Sequence, residues 1–197
     1  MTRLILFGGP GSGKGTQAAF LVDYLEVPHI STGDILRAEK ADKTELGQQA
    51  QAFMDRGELV PDQVVVDMVA NRMAQPDAEA GWLMDGFPRN TSQAIVFEQM
   101  LDKINQPYDC LLFLDVPPLT LNQRALNRRQ QMAQSGQQRS DDTPETILKR
   151  LTVYEQETLP MILNYQKHPK FIYIDGTLSV EEVTASIKRS IAKGGVN

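Results

Sequence analysis

The chain has a single cysteine, no long apolar run and no excess of positive charge, and each shortage excludes a class of protein. Cys110 alone cannot form an intramolecular disulfide, and a structural zinc site would lack its usual thiolates. No apolar run approaches the ~20 residues that cross a bilayer. The run at residues 4–7 is too short for the core of a signal peptide. We therefore expect a soluble, cytoplasmic protein with no membrane partner.

The charge balance argues against nucleic acid as a partner. The 197 residues include 20 lysines and arginines against 25 aspartates and glutamates, a formal net charge of −5. Proteins that bind DNA or RNA neutralise phosphates with an excess of positive charge, which this chain lacks. Any phosphate chemistry must therefore depend on a few placed cations.

The order of apolar segments predicts an α/β fold. The composition, 41% hydrophobic and 23% charged, is ordinary for a globular domain. Short apolar runs alternate with longer amphipathic segments, which is typical of βαβ units around a parallel sheet. We expect one domain over residues 1–197. Strands are predicted at residues 4–7, 28–30, 82–84, 110–114 and 171–174. Helices are predicted at residues 14–25, 45–56, 62–73, 91–103, 119–129, 144–165 and 180–191.

The sequence supports further predictions for three segments. Residues 32–60 contain no strand pattern and are expected to be entirely helical. Residues 130–139 are polar without an apolar period, which predicts either a surface loop or a flap that covers phosphate. The helix predicted at residues 144–165 should take capping side chains from Asp141, Asp142 and Thr143, and Pro160 should kink it.

The glycine-rich segment at residues 8–16 predicts a phosphate-binding loop. It follows the first strand, opens the first helix and matches G-x-x-x-x-G-K through Gly8, Gly13 and Lys14. Backbone N–H groups and the helix amino terminus would face the phosphates, with Lys14 reaching their oxygens. The next position is Gly15, so the hydroxyl that often holds Mg²⁺ is missing there. Thr16 can partly replace it, or nucleotide oxygens and water hold the metal.

Two further motifs give the loop a family context. Residues 8–17 resemble the loop of nucleoside monophosphate kinases, and residues 31–37, Ser-Thr-Gly-Asp-Ile-Leu-Arg, resemble the start of their monophosphate-binding region. Residues 85–89, Asp-Gly-Phe-Pro-Arg, resemble the segment after their third strand. All three motifs stand in the family's order, and the resemblance runs from residue 3 to about residue 183.

The resemblance implies the architecture and the site. The fold would be a P-loop three-layer α/β fold with a five-stranded parallel sheet, a helical AMP-binding insert at residues 31–60 and a short lid at residues 129–139. Catalytic residues would be Lys14, Arg89, Arg128, Arg139 and Arg150. ATP would contact Gly11, Ser12, Gly13, Lys14, Gly15, Thr16, Arg128 and Leu178. AMP would contact Thr32, Arg37, Glu58, Leu59, Val60, Gly86, Phe87, Pro88, Arg89, Gln93, Arg139 and Arg150.

Two positions indicate the base of the acceptor. Adenylate kinases typically carry Thr and Gln where uridylate/cytidylate kinases carry Ala and Asn, and this chain has Thr32 and Gln93. A carboxamide both donates and accepts, so it can pair with the edge of adenine. The resemblance therefore favours ATP + AMP = 2 ADP, with a role in nucleotide homeostasis. A uridylate/cytidylate kinase, and a P-loop module that binds nucleotide without turnover, remain as alternatives.

The same resemblance predicts cofactor and partners. Mg²⁺ would arrive with ATP, with Asp85 and Asp34 orienting its water shell and no direct protein ligand. The short lid carries no cysteine, so no zinc is expected. The partners would be ATP and AMP/ADP, and the protein would be a monomer.

Overall fold

A parallel sheet of five strands organises the molecule. The structure is a computed structural model that describes residues 2–136 and 142–193. The strands lie in the order β2-β3-β1-β4-β5, and every neighbouring pair is parallel. Their bounds are β1 Arg3–Gly8, β2 His29–Ser31, β3 Trp82–Asp85, β4 Cys110–Asp115 and β5 Phe171–Asp175. The predicted five-stranded α/β fold is confirmed.

Helices cover both faces of the sheet. Their bounds are α1 Lys14–Leu25, α2 Thr32–Ala41, α3 Glu45–Arg56, α4 Asp62–Met73, α5 Thr91–Lys103, α6 Pro118–Gln134, α7 Pro144–Val153, α8 Leu159–Tyr165 and α9 Val180–Lys193. Successive strand residues point to opposite faces, so Leu4 and Leu6 pack towards α1 and α9. Ile5 and Phe7 pack into the larger core formed with the other helices.

Two predictions of local structure need correction. The segment expected to be a polar loop from residue 130 begins as helix, because α6 continues to Gln134. Its residues there, Gln-Gln-Met-Ala-Gln, have good helix propensity although they lack an apolar period. Thr143 caps α7 as predicted, with Oγ1 accepting from the Thr146 amide at 3.1 Å. Asp142 instead faces arginines, and Asp141 lies outside the described residues.

The predicted helix 144–165 is interrupted before Pro160. Residues Tyr154–Thr158 form one π-helical turn between α7 and α8. The Leu159 amide donates to the carbonyl oxygen of Tyr154, five residues earlier. Proline lacks an amide hydrogen and crowds the carbonyl four residues before it, and a wider turn relieves both problems.

The carboxyl ends of all five strands lie at one edge of the sheet. Register pairs Leu6 of β1 with Asp85 of β3, and Ser31 of β2 with the same Asp85. The loops that follow the strands therefore meet at this edge, where open α/β sheets bind ligands. Among the described residues, no helix is long and apolar enough to cross a membrane.

Candidate active site

A cleft of about 990 Å³ opens at the carboxyl edge of the sheet. Its size suits ligands of nucleotide dimensions. Every predicted site residue within the described part of the chain lines this one cleft: Gly11, Ser12, Gly13, Lys14, Gly15, Thr16, Thr32, Asp34, Arg37, Glu58, Leu59, Val60, Asp85, Gly86, Phe87, Pro88, Arg89, Gln93, Arg128, Arg150 and Leu178. Arg139 lies outside the described residues.

The loop between β1 and α1 has the geometry of an anion-binding turn. Gly11 and Gly13 have φ values of 85° and 95°, a left-handed conformation that favours glycine. A Cβ on Gly11 would also lie 2.5 Å from the carbonyl oxygen of Leu121. Helix α1 begins directly after this turn and has no acidic residue in its first turn. Its free amide groups and positive end therefore face the cleft unopposed by a local carboxylate.

Lys14 folds back over the phosphate loop. Its Nζ atom donates to the carbonyl oxygens of Gly8 and Gly9 at 2.7 and 3.0 Å. Burial lowers the pKa of Lys14 to about 8, Asp85 opposes that shift, and Arg89 and Arg128 add to it. The ammonium group therefore interacts with two other cations and one carboxylate, and an incoming polyphosphate would neutralise the excess positive charge.

Arg89 is held in place by the segment that precedes it. Its Nε atom donates to the Gly86 carbonyl oxygen at 2.6 Å, and Thr32 Oγ1 donates to the same oxygen at 2.8 Å. From the other side, Thr158 Oγ1 donates to the Arg89 carbonyl oxygen at 2.7 Å. Burial lowers the pKa of Arg89 to about 10, with Arg150 next in effect. The guanidinium stays charged near neutral pH.

Arg128 and Arg150 share one buried carboxylate. Nη2 of Arg128 donates to both carboxylate oxygens of Asp142, at 3.0 and 2.7 Å, and Nη1 of Arg150 donates to Oδ1 at 3.0 Å. Asp142 is 1% exposed. It thus links the end of α6 to α7 and orients both guanidinium groups. The sequence showed an acidic pair before α7, but it did not reveal that Asp142 would pair with Arg128 and Arg150.

Arg124 is a cleft residue to which the motifs assigned no role. Its guanidinium donates to the carbonyl oxygens of Gly176 and Thr177 at 2.6 and 3.2 Å. It therefore ties α6 to the loop after β5, next to Leu178. In the sequence, Arg124 stands four residues before Arg128, which places both on one face of the helix and is the feature that could have indicated a role in the cleft.

The acidic residues at the edge of the sheet occupy different settings. Asp85 is 8% exposed, and its Oδ2 lies 3.3 Å from Nε2 of His29. The Asp34 carboxylate accepts from Arg37. Among the described residues, no group of three or more His, Cys, Asp or Glu is placed to hold a metal ion.

The match to a known family decides what this cleft is for. The sequence model of the adenylate kinase family matches residues 6–170. The chain belongs to the adenylate kinase family. Adenylate kinases are phosphotransferases, and this chain catalyses ATP + AMP = 2 ADP.

Relatives across bacteria and archaea extend over the whole fold. An adenylate kinase of Thermosynechococcus vestitus is 72% identical over 191 residues, which cover 97% of each chain. One from Cyanothece sp. is 48% identical over 191 residues, covering 97% of this chain and 95% of its own. One from Methanosarcina acetivorans is 41% identical over 214 residues, covering 97% and 99%. The similarity therefore includes every element of the cleft.

Adenylate kinases use Mg²⁺ with ATP, and the acidic residues of the cleft fit a metal of that kind. One buried carboxylate, Asp85, stands at the carboxyl end of β3, beside the phosphate loop. A carboxylate in this position suits an ion whose own ligands are phosphate oxygens and water, because it can accept hydrogen bonds from that water. The Asp34 side chain is 58% exposed and accepts from Arg37, whereas Asp85 is buried at the end of β3, so Asp85 is the better candidate of the two predicted carboxylates.

Proposed function

We propose that the cleft divides its cations between the two nucleotides of the adenylate kinase reaction. ATP phosphates would lie on the backbone of residues 11–16 and on Lys14. The AMP phosphate would lie between Arg37 and Arg89. The supporting observation is that both cationic groups line one cleft and interact electrostatically across it.

The remaining arginines would surround the phosphoryl group during transfer. Arg128 and Arg150 are oriented together by Asp142, and Arg139 would join them from the lid. Guanidinium groups meet two phosphate oxygens at once and stay protonated, which suits a transition state whose charge spreads over three oxygens. The attacking oxygen belongs to an AMP phosphate that is already ionised, so the protein needs no general base.

Mg²⁺ bound with ATP would neutralise charge on the phosphate oxygens and fix their geometry. Asp85 would hold the water shell of the ion, and Lys14 and the loop amides would hold the remaining phosphate oxygens. The position of Asp85 supports this role, since the carboxylate is 8% exposed at the carboxyl end of β3 and interacts electrostatically with Lys14 of the phosphate loop.

We further propose that Thr32 and Gln93 select the adenine base. Gln93 lines the cleft and is 1% exposed, and Thr32 is 2% exposed against Gly86. A buried carboxamide rejects a base that cannot match its donor and acceptor, because an unmatched polar group is left unpaired. The backbone of Glu58, Leu59 and Val60 and of residues 86–88 would complete this pocket.

Exclusion of water would come from movement of the insert at residues 31–60 and the lid at residues 129–139. The insert consists of α2 and α3, which pack on each other at one mouth of the cleft. The lid begins as the last turns of α6. Closure of both would protect ATP from hydrolysis.

We also propose that the enzyme is a monomer and works in the cytoplasm, where both nucleotides are available. Sedimentation velocity with and without nucleotide tests whether it is a monomer.

Acceptor choice tests the assignment of the base pocket. The experiment measures ADP formation from Mg-ATP with AMP, CMP or UMP, and without acceptor, for the wild type and for Gln93→Ala. We expect strong preference for AMP in the wild type and at least a tenfold loss of that preference in the variant. Gln63→Ala, a glutamine on α4 outside the cleft, should match the wild type. Equal losses of Gln93→Ala towards all acceptors would contradict the role of Gln93.

A further inference from the structure

A short hydrogen-bond chain lies directly behind Gln93. Asp62, the first residue of α4, accepts at Oδ1 from Gln93 Nε2 at 2.8 Å and from Asn90 Nδ2 at 3.0 Å. Asn90 Oδ1 in turn accepts from the backbone N–H of Gln93 at 2.8 Å, and this bond caps α5. Asp62 is not among the residues that line the cleft, whereas Gln93 is. The carboxylate therefore supports Gln93 from outside the binding site.

The two partners of the Gln93 side chain allow only one orientation of its amide. Oε1 accepts from the Arg89 backbone N–H at 2.8 Å, and Nε2 donates to the Asp62 carboxylate. An ionised carboxylate only accepts, and a backbone N–H only donates. Exchanging the oxygen and nitrogen of the amide would place donor against donor and acceptor against acceptor. Because Gln93 is 1% exposed, little water reaches its amide from the cleft to compensate for such a mismatch.

A fixed amide offers a fixed pattern to a base. The bonds to Asp62 and Arg89 leave one Nε2 hydrogen and one Oε1 lone pair. This donor and this acceptor complement the edge of adenine, where a ring nitrogen accepts and the neighbouring exocyclic amine donates. A 6-oxopurine presents the reverse pattern, a carbonyl oxygen next to a ring N–H, with nearly the same shape. A 6-oxopurine would pair only with a Gln93 side-chain amide rotated by about 180°, so that its oxygen and nitrogen exchange places.

We propose that Asp62 is a positioning residue that fixes the Gln93 amide and thereby makes the enzyme reject 6-oxopurine monophosphates. This inference rests on the proposed role of Gln93 in base recognition. Asp62 acts through Gln93, so it determines hydrogen-bond polarity and not the size of the pocket. Discrimination between AMP and IMP isolates that property, because the two acceptors differ in polarity and hardly in shape.

The test compares kcat/KM for AMP and for IMP, with Mg-ATP as donor. In Asp62→Ala the amide loses its acceptor-only partner, and we expect the AMP/IMP ratio to fall about tenfold or more. Asp62→Asn should retain the ratio within about threefold, because its Oδ1 can still accept from both amide nitrogens. The KM for ATP should change less than about twofold in either variant, since Asp62 lies outside the cleft.

Two controls separate this role from a merely structural one. Asp67→Ala removes a carboxylate of the same helix that accepts from Gln63 at 2.8 Å, and it should leave the ratio unchanged. In a Gln93→Ala background, Asp62→Ala should alter the ratio by less than about twofold. If Asp62→Ala does not fold, Asp62→Ser tests the same loss, because its hydroxyl is shorter than the carboxylate that makes the 2.8 Å contact with Gln93 and keeps a polar group in the first turn of α4.

The outcomes distinguish this proposal from the one it rests on. A wild type that uses AMP and IMP equally well would overturn the base assignment, and the role of Asp62 with it. A wild type that discriminates, with a ratio lost in Gln93→Ala but kept in Asp62→Ala, would overturn the role of Asp62 alone. A further fall of the ratio on Asp62→Ala when Gln93 is already absent would also overturn it.

Discussion

Arginine supplies most of the positive charge in the cleft, and its chemistry suits the position. Arg89 is held by four hydrogen-bonded neighbours, Gly86, Thr32, Gln93 and Thr158. Even with the pKa of Arg89 lowered by burial to about 10, the group keeps its charge near pH 7. Lysine in the same place would lose charge more readily and would offer no planar fork.

Replacement of Arg89 by alanine should lower kcat/KM by ~10²-fold or more, because a positioned charge on the acceptor phosphate is lost. Arg89→Lys should recover part of that loss. Steady-state kinetics with AMP varied at saturating Mg-ATP measures both. A loss below threefold in Arg89→Ala would contradict its proposed contact with phosphate.

Lys14 should take up a proton when ATP binds. Its pKa of about 8 in the free protein leaves it about half protonated at pH 8. Bound phosphates favour the charged form and raise that pKa, so about 0.5 proton should enter per Mg-ATP bound. ATP affinity should accordingly fall as pH rises above 8. Calorimetry at pH 8 without AMP, in two buffers of different ionisation enthalpy, measures the uptake.

Lys14→Arg provides the control for this proton count. Arginine is already fully protonated at pH 8, so its variant should show uptake near zero while still binding anions. The same uptake in both proteins would place the titrating group elsewhere.

At the scale of elements, the pair α2 and α3 depends on a close backbone approach. Gly47 lies in the first turn of α3, and a Cβ there would overlap the carbonyl oxygen of Glu39 and approach the Lys40 nitrogen to 2.6 Å. A 2.6 Å ion pair between Lys40 and Asp55 also joins the two helices. The insert is therefore held as one packed unit.

Gly47→Ala should destabilise the protein by about 1–3 kcal/mol through overpacking. At an exposed helix position the same change would instead stabilise by up to about 1 kcal/mol, so the sign is diagnostic. Urea unfolding measures the free energy, with Gln51→Ala on the exposed side of α3 as control. AMP affinity should fall more than ATP affinity. An increase in stability would show that α2 and α3 can separate without cost.

At the scale of the molecule, charge is distributed unevenly. The chain has a net charge of −5, yet six cations line the cleft with only three carboxylates: Lys14, Arg37, Arg89, Arg124, Arg128 and Arg150 against Asp34, Glu58 and Asp85. An acidic surface around a basic cleft directs anionic nucleotides to one place. This arrangement predicts a marked dependence on salt.

Raising ionic strength from about 0.1 to about 1 M shortens the screening length from about 10 to about 3 Å, and KM for both nucleotides should rise several-fold. Initial rates across a salt series measure the slope. Arg128→Gln should flatten it, whereas Arg72→Gln, which removes a partner of Asp77 outside the cleft, should leave it unchanged. Equal slopes in all three proteins would contradict electrostatic focusing by the cleft.

Local patterns predicted much of this molecule. Helices α1, α3, α4 and α5 begin and end at the predicted residues, because apolar periods and the residues that start and stop a helix are local in sequence. The three motifs also located the cleft residues, since loops at the ends of parallel strands meet at one edge. Helix α6 was predicted too short because its last turns are exposed and polar, so no apolar period marks them.

The sequence by itself therefore determined the strands, most helices, the phosphate loop and the family. Only the tertiary structure decided which charges and amides meet. Asp142 joins Arg128 and Arg150 from separate helices, and Asp62 reaches Gln93 across 31 residues of chain. Such partners are chosen by how helices pack on the sheet, which sets distances between residues far apart in sequence. Those distances cannot be predicted from neighbouring residues along the chain.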